Sequence, residues 1–175
     1  MSQIAIADEK TSTATGDLIF FNNLKKLCGQ SFIGDTTFPD DPNHDFADKA
    51  LIIKVAECSE NQIRIPFQVG ADKSRTWVFT LTPIGLELKH DHRHTDGTPD
   101  KITMYGGLSN KLGSGLIQHF PADNYTENLI PAAATNVWTV ELGADSKELV
   151  YRLERHNQPR YRADFRLAKP NRQSN

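Results

Sequence analysis

The sequence predicts an all-β chain, an antiparallel up-and-down β-barrel of about ten strands with a short N-terminal helix. Three observations carry that reading. Short segments of alternating apolar and polar residues follow one another with turn signals between them. No helix-length apolar repeat separates them, which excludes a parallel βαβ sheet. A meander this long also has two edges to hide, and closing on itself removes them.

The elements run as follows. Residues 1–16 are small and polar and read as a disordered lead-in, ahead of a single domain over 17–168 and a loose tail over 169–175. Asp17 is the expected N-cap of the helix, with Leu18, Phe21, Leu24 and Cys28 at helical spacing and Gly29 as the stop. Strands are expected at Ser31–Phe38, at 50–58 after an Asp/Pro-rich loop over 39–49, and at Gln62–Val69. In the last of these Ile63, Ile65, Phe67 and Val69 form one apolar row. Residues 75–82 follow, with Trp77, Phe79 and Leu81 in a row, and Pro83-Ile84-Gly85 turns the chain into a strand rich in histidine. Asp96-Gly97 then closes a hairpin to a strand at 101–105. Gly106 to Gly115 reads as a flexible glycine-rich loop, 116–120 as a short strand, and 121–135 as irregular with a helical turn near Pro131. Strands at 136–142, 148–155 and 160–167 complete the chain.

Composition limits the function classes. At 175 residues and 38% hydrophobic content the chain suits one domain with a sizeable core. Twenty Lys plus Arg against 22 Asp plus Glu leave no basic excess, so no nucleic-acid partner is expected. The longest early apolar run, Leu18 to Phe21, is too short to span a membrane, and the first residues lack the pattern of a signal peptide. The expected compartment is the cytoplasm as the sequence stands, or the periplasm or exterior if a leader has been removed. Cys28 and Cys58 are then expected to be free thiols, since neither lies in a paired-cysteine motif.

With the order of elements in place, the chain resembles the calycin barrels: lipocalins, fatty-acid-binding proteins and nitrobindin-like proteins. The resemblance rests on a short helix running into Leu27-Cys28-Gly29-Gln30-Ser31-Phe32-Ile33-Gly34, the meander, and an Arg-rich last strand. It implies Phe32 in place of the usual Trp, stacked beneath Arg160, Arg162 or Arg166. More narrowly, Leu88-Lys89-His90-Asp91-His92-Arg93-His94-Thr95-Asp96-Gly97, with Arg75-Thr76-Trp77 and Tyr105-Gly106-Gly107, resembles a family of small bacterial proteins with no established activity.

Chemistry concentrates on the histidine strand. His90, His92 and His94 alternate, so they share the face begun by Leu86 and Leu88, while Asp91 points the other way. Imidazoles in a His-x-His pair can ligate a transition metal such as zinc. At ~3.3 Å per residue His90 and His94 lie about 13 Å apart, so one ion takes two neighbours plus a donor from elsewhere: His119, Asp96, Asp100 or Asp123. Haem is a further cofactor candidate implied by the nitrobindin resemblance, with His119 or His156 as axial ligand. Aromatic rows (Phe67, Trp77, Phe79, Trp138, Tyr151, Tyr161 and Phe165) point to a ligand cavity. The expected ligand site is Leu86, Leu88, His90, His92, His94, Trp77, Phe79 and Tyr151, holding a hydrophobic or amphipathic small molecule; a metal-dependent hydrolase or lyase is the alternative. Oligomeric state is not legible. No phosphate loop is formed at Gly106 to Gly115, and no serine sits in a nucleophile elbow.

Overall fold

The computed structural model describes residues 8–110 and 112–169. It is a nearly closed antiparallel barrel. The strands are β1 (Ser31–Phe38), β2 (Leu51–Lys54), β3 (Glu57–Cys58), β4 (Gln62–Val69), β5 (Asp72–Thr82), β6 (Gly85–His92), β7 (Tyr105–Leu108), β8 (Ile117–Pro121), β9 (Val137–Leu142), β10 (Glu148–Arg155) and β11 (Gln158–Leu167). The sheet order is β7-β6-β5-β4-β2-β1-β11-β10-β9-β8, with β3 paired outside this path to β4. Most chain neighbours are therefore sheet neighbours, and the first and last strands pair with each other, Phe32 opposite Leu167. Alternation dictates the inner face: in β4 Ile63, Ile65, Phe67 and Val69 are buried, as the apolar row requires.

The remaining gap lies between β7 and β8. Loop bonds bridge it: Asp123 N–H donates to the Gly106 carbonyl at 2.9 Å, and Asn110 N–H to the His119 carbonyl at 2.9 Å. Helix α2 (Asn124–Leu129), N-capped by Asp123, covers the β7 edge. Its buried Thr126 hydroxyl accepts from Gly106 N–H and donates to Gly106 C=O. These bonds take up backbone groups that an open barrel edge would otherwise offer to another chain.

Here the sequence expectation needs correction. The strand after the hairpin is Tyr105–Leu108, not 101–105, and Gly106 and Gly107 belong to it instead of to a flexible loop. A Cβ on Gly106 would lie 1.9 Å from the Leu88 carbonyl oxygen, and one on Gly107 1.9 Å from that of Pro121. Gly106 thus permits close backbone approach to β6, and Gly107 close approach to β8 across the seam. The segment 50–58 splits into β2 and β3, and 121–135 holds α2 and a single 3-10 turn at Pro131–Ala133.

Helix α1 (Asp8–Lys25) begins upstream of Asp17, so that residue does not cap it. The loose lead-in expected over 1–16 falls on this helix from Asp8; its first seven residues, and the tail beyond 169, lie outside the described residues. Asp17 instead ties the helix to the barrel. Its buried carboxylate accepts from Leu86 N–H at 3.1 Å and the Ser109 hydroxyl at 2.8 Å. Phe20, Phe21 and Leu24 are sealed from solvent, and Phe20 meets Phe79, which meets Phe120. Each such side chain contributes about 1.5–3 kcal/mol by burial. This end of the barrel is a packed plug.

Cys28 and Cys58 are joined in a disulfide, against the expectation of free thiols. Their Cα atoms lie 6.3 Å apart, inside the range a bridge requires, because β3 returns beside the turn that follows α1. Among the described residues no helix is long and apolar enough to cross a membrane.

Candidate functional site

Strand β6 runs from the plug to the open end, and its inward row changes character on the way. Leu86 and Leu88 are fully buried in the core. His90 and His92, next in the row, line a cavity of about 360 Å³. Trp77 and Arg75 of β5, Trp138 of β9, Tyr151 of β10 and Tyr161 of β11 complete its walls.

His90 is 4% exposed, and its ring lies parallel to that of Tyr105, centroids 4.7 Å apart. Its Nδ1 is 3.1 Å from the Tyr105 carbonyl oxygen, and its Nε2 is 2.8 Å from the Tyr151 hydroxyl. A carbonyl only accepts, so Nδ1 carries the proton and Nε2 accepts from the Tyr151 O–H. Burial depresses the His90 pKa to about 3, the carbonyl bond opposing it in part. His90 is a neutral, fully bonded ring. Tyr151 stacks on Trp77 at 4.6 Å, and burial drives its hydroxyl pKa well upward.

His92 shares a 3.0 Å hydrogen bond with the Tyr105 hydroxyl. Burial, then the charge of Arg75, holds the His92 pKa below the usual imidazole value. Burial raises Tyr105 and Tyr161 to about 12. These phenols thus stay protonated and serve as neutral hydrogen-bonding groups.

Asp91, on the opposite face of β6, is buried on the outer side of the barrel. It accepts from Arg64 at 2.8 Å and Arg93 at 3.1 Å. Hydrogen bonds from these two guanidiniums hold its carboxyl below the usual range, burial opposing them. The pair fixes β4 to β6 and so holds the histidine row in register.

The other expected site residues disperse. His94 lies beyond the end of β6, exposed in the turn. His119 projects from the outer face of β8, where its Nδ1 bonds the Thr139 hydroxyl at 2.9 Å; its neighbours Gln118 and Phe120 point inward. Phe79, Leu86, Leu88 and Phe165 pack in the core and do not line the cavity. Asp96 and Asp100 close local turns, and Asp123 caps α2 and pairs with Lys89. Among the described residues no three His, Cys, Asp or Glu side chains stand together to hold a metal ion. Both His90 nitrogens are committed, so the residues present do not fit the zinc site that the His-x-His spacing suggests. His156 sits in the β10–β11 turn bonded to Thr135, and with His119 outside, neither expected haem ligand faces the cavity.

The open end carries features the sequence reading did not place. His44 stacks on Tyr161 at 5.4 Å and Phe46 packs edge-on to Phe67 and Tyr161, folding the 39–49 loop over the rim. An aromatic pair within that polar loop was the available signal. Arg75 lies 5.0 Å over the Phe46 ring and pairs with Asp72. Phe32 points into the core; Arg162 pairs with Asp164, and Arg166 is exposed, so neither stacks on it. The side chains of Arg162 and Arg166 project outward because they alternate with the buried Tyr161, Ala163 and Phe165. Arg160 is at the cavity mouth.

Comparisons with family models, with curated proteins and with solved structures returned no match.

Proposed function

We propose that this chain is a small-molecule-binding barrel of the calycin-like kind, holding a hydrophobic or amphipathic ligand at its open end. The observation that carries the reading is the cavity of about 360 Å³ walled by aromatic rings at the end opposite the helix plug. Its volume falls within the ~300–1,000 Å³ of small-molecule sites, and its walls are mainly apolar with a few placed polar groups. His90 and His92 act within it as bonded, orienting groups. The Cys28–Cys58 bridge supports an oxidising compartment, the periplasm or the exterior.

Native mass spectrometry of the purified chain, incubated with a small-molecule extract of its source cells, tests this. One organic molecule retained per chain is expected. A bare chain mass at every extract concentration would overturn the proposal.

A further inference from the structure

The cavity mouth is built by an irregularity in the β10–β11 hairpin. His156 and Asn157 both have positive φ, 54° and 57°, and form the two-residue turn. After it Glu154 pairs with Pro159, yet Leu153 pairs with Tyr161, so Arg160 is an extra residue on β11. Such a bulge re-aims side chains. Here it places two consecutive residues, Arg160 and Tyr161, on the cavity, which regular alternation forbids. Arg155, on the other side of the turn, also reaches the mouth, held by its Nε–H bond to Asn136 Oδ1 at 2.8 Å. Among the described residues its terminal guanidinium nitrogens have no further hydrogen-bond partner.

Among the described residues neither Arg155 nor Arg160 has a carboxylate within ion-pairing distance. With Arg75, itself paired to Asp72, they set three guanidiniums around an opening whose lining among the described residues includes a single acid, Asp45. Below them the wall is mainly aromatic. Trp77 lies parallel to Tyr151, and His90 to Tyr105, which in turn leans on Trp138 at 5.7 Å. Ile130, Ala133 and Leu153 are the aliphatic side chains of its lining among the described residues.

We infer that the cavity takes a planar aromatic carboxylate, with its ring against the Trp138 and Tyr151 side chains and its anion on Arg155 and Arg160. This rests on the small-molecule-binding reading above and names its ligand class. An aromatic wall favours an aromatic partner, and guanidinium forks match a carboxylate with paired, charge-assisted bonds.

Isothermal titration calorimetry with three probes tests it: 2-naphthoate, its neutral counterpart 2-naphthalenemethanol, and the aliphatic anion octanoate. The naphthoate is expected to bind at least about tenfold tighter than either of the others. Arg160→Gln, an exposed position, should cost about tenfold in naphthoate affinity and leave naphthalenemethanol unchanged; Arg155→Gln should act alike. Equal binding of naphthoate and naphthalenemethanol would overturn the anion site, and equal binding of octanoate the ring site. Either result leaves the cavity a binding site. Failure of all three probes to bind would overturn this inference alone, and the reading beneath it would then stand or fall on whether the chain retains a molecule from the cell extract.

Discussion

At the scale of single residues, His90 joins the packed core to the cavity, and its protonation state makes the barrel sensitive to acid. Burial depresses its pKa from the ordinary 6.5 to about 3. The unfolded chain therefore takes up a proton near pH 6.5 that the folded barrel refuses until near pH 3. Its stabilisation is complete above about pH 6.5 and is lost progressively as pH falls, by at most about 1.4 kcal/mol per pH unit. Asp91, Asp123 and Asp164 are depressed too, but a carboxylate of ordinary value 3.8 adds its own loss only at lower pH. The window between pH 6.5 and 4.5 belongs to imidazoles, and His92 and His119 share the direction. His90→Gln is expected to be less stable at pH 7 yet to show a clearly shallower decline across that window in urea unfolding. A decline as steep as the parent's would exclude His90 as its source. Alternation alone put His90 and His92 on the inner face. It could not show that the strand ends at His92, nor that His119 sits on the outward phase of β8, since both depend on partners distant in sequence.

At the scale of elements, legibility followed the hydrophobic pattern. β1, β4 and β10 have the boundaries their alternation indicates, because one buried face fixes their phase. β7 was invisible, since its Gly106-Gly107 has no side chains to alternate and is selected by close backbone approach. The disulfide was equally hidden: two cysteines 30 apart carry no spacing signal, and their meeting depends on the return of β3 along β4. The bridge pins the turn after α1, and thereby the helix plug, to that short strand. Closing a loop of this length should contribute about 3–4 kcal/mol. Cys28→Ser/Cys58→Ser is expected to lose that amount in urea unfolding, with cavity ligand affinity little changed because neither cysteine lines the cavity. Two titratable thiols in unreduced native protein would refute the pairing.

At the scale of the whole molecule, the barrel is divided along its axis into a filled half and a hollow half. The filled half combines Phe20, Phe21 and Leu24 of the helix with Phe79, Leu86, Leu88 and Phe120, all nearly or fully sealed from solvent. The hollow half has the same strands but surrounds a cavity, and the rim loop over 39–49 covers it through Phe46 and His44. Close packing resists local opening, whereas a cavity forfeits contacts along its lining. Amides of β5 and β6 beside Phe79 and Leu88 should therefore exchange hydrogen only through global unfolding. Those of the rim loop and of the 131–136 segment should exchange orders of magnitude faster. Saturating 2-naphthoate should slow exchange at the rim first, because the ligand restores contacts only where they are missing. Hydrogen-exchange mass spectrometry resolves the two halves by peptide. Uniform protection along β5 and β6 and across the rim would mean that the open end is packed as tightly as the plug, and the division of the barrel would fail.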